Sequence, residues 1–156
     1  MKLIYYDKTG FYAKRTKIPA FSEDESLFVD FLPAKDQPGV HVRRINRQEE
    51  VDDDKLLAHW EKIIAEIPKE KRTGRWHIAY CLSKPNGTTQ IVTRDYPIMF
   101  FSPSSKVRIP GWPMSSLQGS IKLGKPHSET SPEEHKIINQ ETDKIIRASL
   151  EKLTIG

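Results

Sequence analysis

Apolar positions along this chain follow two different periods, and the period separates helices from strands. Leu56, Leu57, Trp60, Ile63, Ile64 and Ile67 recur at three- and four-residue spacing, which predicts a helix over Asp52 to Ile67 with a single apolar stripe. Asp52, Asp53 and Asp54 stand in its first turn, where carboxylates cap free amides and oppose the dipole, and Pro68 ends it. A second helix begins at Ser131 as cap, with Pro132 first in the helix and Glu134 closing a capping box. Ile138, Ile145, Ile146, Leu150 and Leu153 make its buried stripe. Elsewhere the pattern alternates. Arg75 to Leu82 and Thr88 to Asp95 flank Asn86-Gly87, a strong hairpin signal, and Ile98 to Phe101 continues as a short strand. Leu27 to Leu32, closed by Pro33, reads as another strand, and Gly39 to Ile45 as a further strand or a bend leading into a helix. Lys2 to Tyr6 and Phe11 to Arg15, either side of Asp7-Lys8-Thr9-Gly10, read as an N-terminal hairpin. The expected architecture is mixed α/β: a twisted, largely antiparallel sheet with two long helices packed against it, in one domain over residues 1–156.

Composition narrows the class of protein. At 156 residues, 37% hydrophobic and 29% charged, the chain has the makeup of an ordinary folded domain with a core of useful size. The single cysteine, Cys81, rules out an intramolecular disulfide framework and fits a reducing cytoplasm; within Ile78-Ala79-Tyr80-Cys81-Leu82 it reads as a buried, inert thiol. No apolar run has bilayer-crossing length, and the N-terminus has no signal-peptide pattern. The net charge of +4 favours polyanionic ligands without requiring nucleic acid. Arg43, Arg44, Arg47 and the stretch Lys69 to Arg75 are basic, but six acids between Glu49 and Glu61 interrupt that surface.

The most pointed chemistry is Ser22-Glu23-Asp24-Glu25-Ser26-Leu27-Phe28-Val29-Asp30, with Gln37-Pro38-Gly39-Val40-His41-Val42-Arg43-Arg44 following. Clustered carboxylates beside cations suit a magnesium ion on a phosphorylated substrate, whereas a solvated acidic turn is the plain structural alternative. Strand alternation sends Glu23 and Asp24 to opposite faces, so both cannot serve one ion equally. Glu25 is expected in solvent, and Asp30 buried and paired with Arg43 or Arg44. Ser102 to Lys125 is rich in Pro, Gly and Ser, a loop long enough to carry function. Within it Trp112 is either a stacking plane or a cover for the core. His41, His59 and His77 lie in different elements without zinc-ligand spacing.

Three segments taken in order resemble the inosine triphosphate pyrophosphatase family, enzymes that hydrolyse aberrant purine nucleoside triphosphates. Glu23-Asp24-Glu25-Ser26-Leu27 with Pro38-Gly39-Val40 is similar to the family's Glu-Asp-Thr/Ser-Gly/Ser-Leu and Pro-Gly segments. Arg108-Ile109-Pro110-Gly111-Trp112-Pro113-Met114 resembles its purine loop, and Ser128-Glu129-Thr130-Ser131-Pro132-Glu133-Glu134-His135 the approach to its C-terminal helix. The resemblance implies catalytic and metal roles for Asp24, helped by Glu23, with Mg2+ as cofactor. It implies substrate contacts by Lys14, Ser26, Trp112, His135, Asn139 and Gln140, a purine nucleoside triphosphate as ligand, and a homodimer formed partly through Pro38-Gly39. Lys14 enters only because Thr9-Gly10-Phe11-Tyr12-Ala13-Lys14 could stand for the family's Thr-Gly-Asn-x-x-Lys phosphate loop; a plain hairpin turn explains the same residues.

The chain also departs from the family pattern. Asn139-Gln140-Glu141 stands where the family has Ser-His-Arg, His135 replaces a lysine, Pro113 replaces the purine loop's aspartate, and much of the family's opening portion has no counterpart. Two readings therefore stand side by side: a divergent pyrophosphatase, or a family-derived nucleotide-binding or regulatory protein that has lost the chemistry.

Overall fold

Asn86-Gly87 organises the sheet. In the computed structural model, which describes residues 2–154 and the side chains of 8–46 and 48–152, strands β2 (Thr73–Ser83) and β3 (Thr89–Phe100) meet across this turn. The Asn86 side-chain oxygen accepts the Thr88 N–H at 2.9 Å, and Gly87 takes φ +93°, where a side chain would strain the backbone. With β1 (Ala20–Val29) and β4 (Gln118–Ser120) the sheet order is β1-β2-β3-β4. β4 lies antiparallel to β3, with Ile98 opposite Ser120. β1 is antiparallel to β2, since Asp30 donates to the Thr73 carbonyl at 3.0 Å while Ser26 reaches the His77 carbonyl at 3.4 Å. The helices are α1 (Lys2–Thr16), α2 (Asp53–Ala65) and α3 (Pro132–Thr154). The mixed α/β class with an antiparallel sheet is as expected, and no helix among the described residues is long and apolar enough to cross a membrane.

The N-terminal hairpin is not there. Residues 2–16 form α1, so neither a hairpin turn nor a phosphate loop exists at Thr9–Lys14. Thr9 and Ala13, one helical turn apart, are both buried, and Thr9 is hydrogen-bonded to Ser22 of β1. Burying that face outweighs the roughly 1 kcal/mol that Gly10 costs inside a helix. β1 begins at Ala20 rather than at Leu27. Gly39 to Ile45 is a bend with isolated bridges at Gly39 and Arg44: Leu27 and Gly39 exchange hydrogen bonds of 2.9 and 3.0 Å, and Arg44 bridges Glu50. Leu150 is exposed rather than part of the α3 stripe, and Asp30 is exposed, accepting from Thr73 at 2.7 Å instead of pairing with Arg43 or Arg44. The side chains of Lys2 to Tyr6, Arg47 and Leu153 lie outside the described ones.

The chain divides into two compact units, residues 1–25, 78–94 and 139–156, and residues 26–77 and 95–138. In the first, Tyr80, Cys81 and Leu82 of β2 are buried, and Arg94 of β3 meets Thr142 and Glu141 of α3, the latter at 3.3 Å. The core of the second is Leu27, Val29, Leu56, Leu57, Trp60, Ile64, Ile98, Phe100, Met114 and Leu117. Trp60 of α2 stacks on Phe100 of β3 at 6.1 Å and 8°. Truncating Trp60 to Ala would cost about 3–5 kcal/mol through lost transfer energy and the cavity left behind. α2 starts as its sequence demands, with Asp52 accepting from the Lys55 N–H at 2.9 Å. α3 starts with the predicted box: Ser131 N–H donates to Glu134 at 2.8 Å and Glu134 N–H to Ser131 at 3.3 Å.

Candidate functional site

The acidic segment lies in β1, so side-chain alternation governs what each carboxylate can do. Ser22 and Asp24 are half-buried on one face, whereas Glu23 and Glu25 stand exposed on the other. Asp24 carries a buried carboxylate oxygen, Oδ2, with no hydrogen-bond partner among the described residues. A buried, unpartnered carboxylate oxygen costs on the order of 1–3 kcal/mol, which a bound cation or an ordered water would recover.

Glu23 and Glu25 form a pair, where the sequence reading has Glu25 free in solvent. Although Glu25 is exposed by area, loss of hydration around its carboxyl raises it to about 7, with further contributions from the Glu23 charge, a hydrogen bond to Glu23 and the charge of Asp24. The i, i+2 spacing on a strand could have revealed this pair. Among the described residues no group of three or more His, Cys, Asp or Glu side chains closes on one metal position. Magnesium asks for less, commonly one or two protein carboxylates with phosphate oxygens and waters completing its shell. An unpartnered Asp24 oxygen and two repelling glutamates fit that requirement.

The other predicted residues of the first unit have defined places. Lys14 is exposed near the end of α1, its Nζ 3.9 Å from the position a Cβ on Gly87 would take, beside the β2–β3 turn. Asn139 and Gln140 are exposed on α3. Glu141, where the resemblance expects an arginine, is exposed and pairs with the nearly buried Arg94.

In the second unit Ser26 is fully buried and its hydroxyl donates to the His77 carbonyl, which leaves no surface for a substrate. Trp112 is half-exposed at 51% and heads the short 3-10 turn Pro113–Ser116. Its backbone is pinned: the Trp112 N–H donates to the Ile109 carbonyl at 2.9 Å and its own carbonyl accepts from Ser115 Oγ at 2.6 Å. Asp53 accepts the Gly111 N–H at 2.7 Å and pairs with Arg43 at 2.8 Å, and these contacts hold its carboxyl below the usual range, the Arg43 bond first. Asp53 thus holds the loop as well as standing in the first turn of α2, a role its place in an acidic triplet does not announce. Gly119 allows the returning chain to pass, since a Cβ there would sit 1.8 Å from the Lys125 carbonyl oxygen.

His135 is half-buried in the first turn of α3, near His127, a residue to which sequence reading gives no role. Burial, and secondarily the His135 charge, push the His127 imidazole down to about 4, so it is neutral at neutral pH. His77 is tied to Asp95 at 2.6 Å, a structural pairing that fits its place on a sheet face. A separate pocket of about 460 Å³ is lined by Leu32, Lys35, Pro38, His41, Arg44 and Trp60 among others, and none of the predicted site residues lines it.

Comparison with known proteins gives the chain its family. The chain is 33% identical over 84 residues to the dITP/XTP pyrophosphatase of Photobacterium profundum, a match covering 51% of this chain and 40% of that protein. It is 32% identical over 80 residues to the dITP/XTP pyrophosphatase of Geobacillus kaustophilus, covering 51% and 38%. The chain therefore matches about two fifths of the length of these curated relatives. The structure of the Staphylococcus aureus Ham1 protein superposes with a TM-score of 0.68 at 17% identity, over 93% of this chain and 73% of that one, which shows a shared fold. The Ham1 family matches residues 2–96, a span that contains α1, the acidic strand, α2, β2 and the first part of β3, and this chain belongs to that family.

Proposed function

We infer that the chain is a magnesium-dependent nucleoside triphosphate pyrophosphatase, converting aberrant purine nucleoside triphosphates to monophosphate and pyrophosphate. The observation that carries this reading is the β1 acid group, with an unpartnered Asp24 oxygen on one face and a Glu23–Glu25 pair on the other. The family match and the pyrophosphatase activity for which the two curated relatives are named support it.

In this reading water adds at the α-phosphorus, the bond to the β-phosphate breaks, and pyrophosphate leaves. Asp24 would hold the ion and orient the water, with Glu23, on the other face of β1, in no more than a helping role. Glu25, poised at about 7, accepts and returns a proton near neutral pH. Magnesium, when bound there, would supply positive charge to neutralise phosphate oxygens. Lys14 adds an exposed cation for the phosphates. Trp112 takes the purine face, and His135, Asn139 and Gln140 offer hydrogen bonds to polar edges. The proposed homodimer uses the Pro38-Gly39 region, where Pro38 lines the open pocket beside Arg44 and His41. The buried thiol of Cys81 suits a reducing, cytoplasmic setting.

A second reading, binding without turnover, is favoured by one observation: Arg94, a cation beside the replaced motif, is engaged by Glu141 and Thr142. Purified protein with magnesium and inosine, xanthosine or deoxyinosine triphosphate decides between the two. Pyrophosphate release that depends on Asp24 supports the enzyme; calorimetric binding with no release supports the binder; neither ends both.

A further inference from the structure

Trp112 is one of a series of rings. Its indole lies parallel to the His127 imidazole, 4° apart in plane with centroids 6.5 Å apart. His127 in turn stacks on Tyr96 of β3 at 5.8 Å and 25°. The rings come from different segments: the loop before Pro113, the 3-10 turn His127–Glu129, and β3. His127 occupies the middle, with the half-exposed Trp112 as the outer ring.

The two parts of Trp112 are held by different means. Ile109 and Ser115 fix its backbone, and Asp53 holds the preceding residue, Gly111. No hydrogen bond to the indole N–H is found among the described residues, and the ring contact of the side chain is with His127. A half-exposed tryptophan on a pinned backbone still has several staggered rotamers available, and selecting one costs side-chain entropy. A flat group behind the ring makes that selection before a ligand arrives, and preorganisation of this kind appears as affinity.

We propose that His127 is a positioning residue that fixes the plane of Trp112 for stacking a flat heterocyclic ligand. This rests on the purine reading of Trp112. An imidazole suits the place because it is planar, so its face matches the indole, and small enough to fit beside Tyr96. It is also uncharged at neutral pH, since burial keeps it so, and therefore does not attract the phosphates of a ligand onto the wrong end of the platform. His127 acts through Trp112 and touches no reacting atom, so it governs binding and not the chemical step.

The test compares wild type with His127→Leu, which keeps bulk but is not flat, and His127→Phe, which is flat without a ring nitrogen. The Trp112 fluorescence is obtained as the difference between each form and the same form carrying Trp112→Phe. For His127→Leu the expected results are a rise of about twofold or more in acrylamide quenching of the Trp112 component and a KM for inosine triphosphate raised about tenfold, with kcat nearly unchanged. His127→Phe should restore both. The proposal is overturned if His127→Leu leaves quenching and KM as in wild type, if kcat falls while KM holds, or if His127→Phe behaves like His127→Leu. If no form binds or turns over a nucleotide, the purine reading fails, while the quenching comparison still decides whether His127 fixes the indole. Circular dichroism confirms that each form is folded.

Discussion

The acidic strand and the tryptophan loop carry their candidate chemistry in opposite electrostatic states. In β1, Asp24 keeps a buried oxygen without a partner and Glu25 is raised to about 7 against its neighbours. In the loop the polar backbone is tied down: Gly111 donates to Asp53, Asp53 is paired with Arg43, and Ser115 and Ser116 each bond a loop carbonyl. Groups left in mutual repulsion carry an electrostatic cost that, in the proposed function, a bound cation would relieve. A satisfied loop instead offers a rigid surface whose geometry is settled before a ligand binds. One region contributes charge that awaits neutralisation, the other a shape already paid for in hydrogen bonds.

Substitutions can break that contrast from either side. The largest effect is expected at Asp24. Asp24→Asn removes the negative charge and should lower kcat for pyrophosphate release by about 10²–10⁴-fold while the protein stays folded. Retention of activity by this variant would remove the acidic strand from the mechanism. Next comes Gly119→Ala, whose Cβ would meet the Lys125 carbonyl oxygen at 1.8 Å. It should cost about 3 kcal/mol in urea unfolding and leave the Glu25 titration where it is; an unchanged midpoint would mean that the loop yields easily.

Trp112→Ala should raise KM about tenfold with kcat nearly constant, because stacking is present in both ground and transition states. An equal loss in kcat would instead tie the indole to the chemical step. The smallest and most diagnostic effect concerns Glu25. Its folded-state carboxyl is raised from 4.5 to about 7, so between those values the folded protein holds a proton that the unfolded chain has released. This group's stabilising contribution is therefore complete below 4.5 and declines as pH rises to about 7. Glu25→Gln should flatten that part of the Tm–pH profile and be the more stable form at a pH of about 8. Magnesium should shrink the difference, and a profile insensitive to magnesium would argue against a cation at this strand.

Several elements could be read from the residues because their signals are local. Asn86-Gly87 has the backbone freedom a tight hairpin needs, and the turn forms as expected. Ser131, Pro132 and Glu134 specify a helix start within a single turn, and the box closes with both hydrogen bonds. The α2 stripe is buried at Leu56, Leu57, Trp60 and Ile64. The N-terminus misleads because aromatic and β-branched residues around Thr9-Gly10 locally favour a hairpin, whereas a buried Thr9–Ala13 face selects a helix. Lys14 keeps its sequence spacing but lies on a helix instead of a phosphate loop. Ser26, plausible by motif, is enclosed, because its side of β1 is covered where the strand passes His77.

The order of amino acids alone determined the helix caps, the tight turn, the alternating acids and the likeness to a family, since each depends on residues close together in the chain. Only the tertiary structure decided that the Glu25 carboxyl loses hydration, that Asp53 fastens Gly111, and that His127 lies between Tyr96 and Trp112. Hydration loss and ring stacking depend on neighbours brought near by folding, often from distant parts of the chain, and no local pattern encodes that proximity.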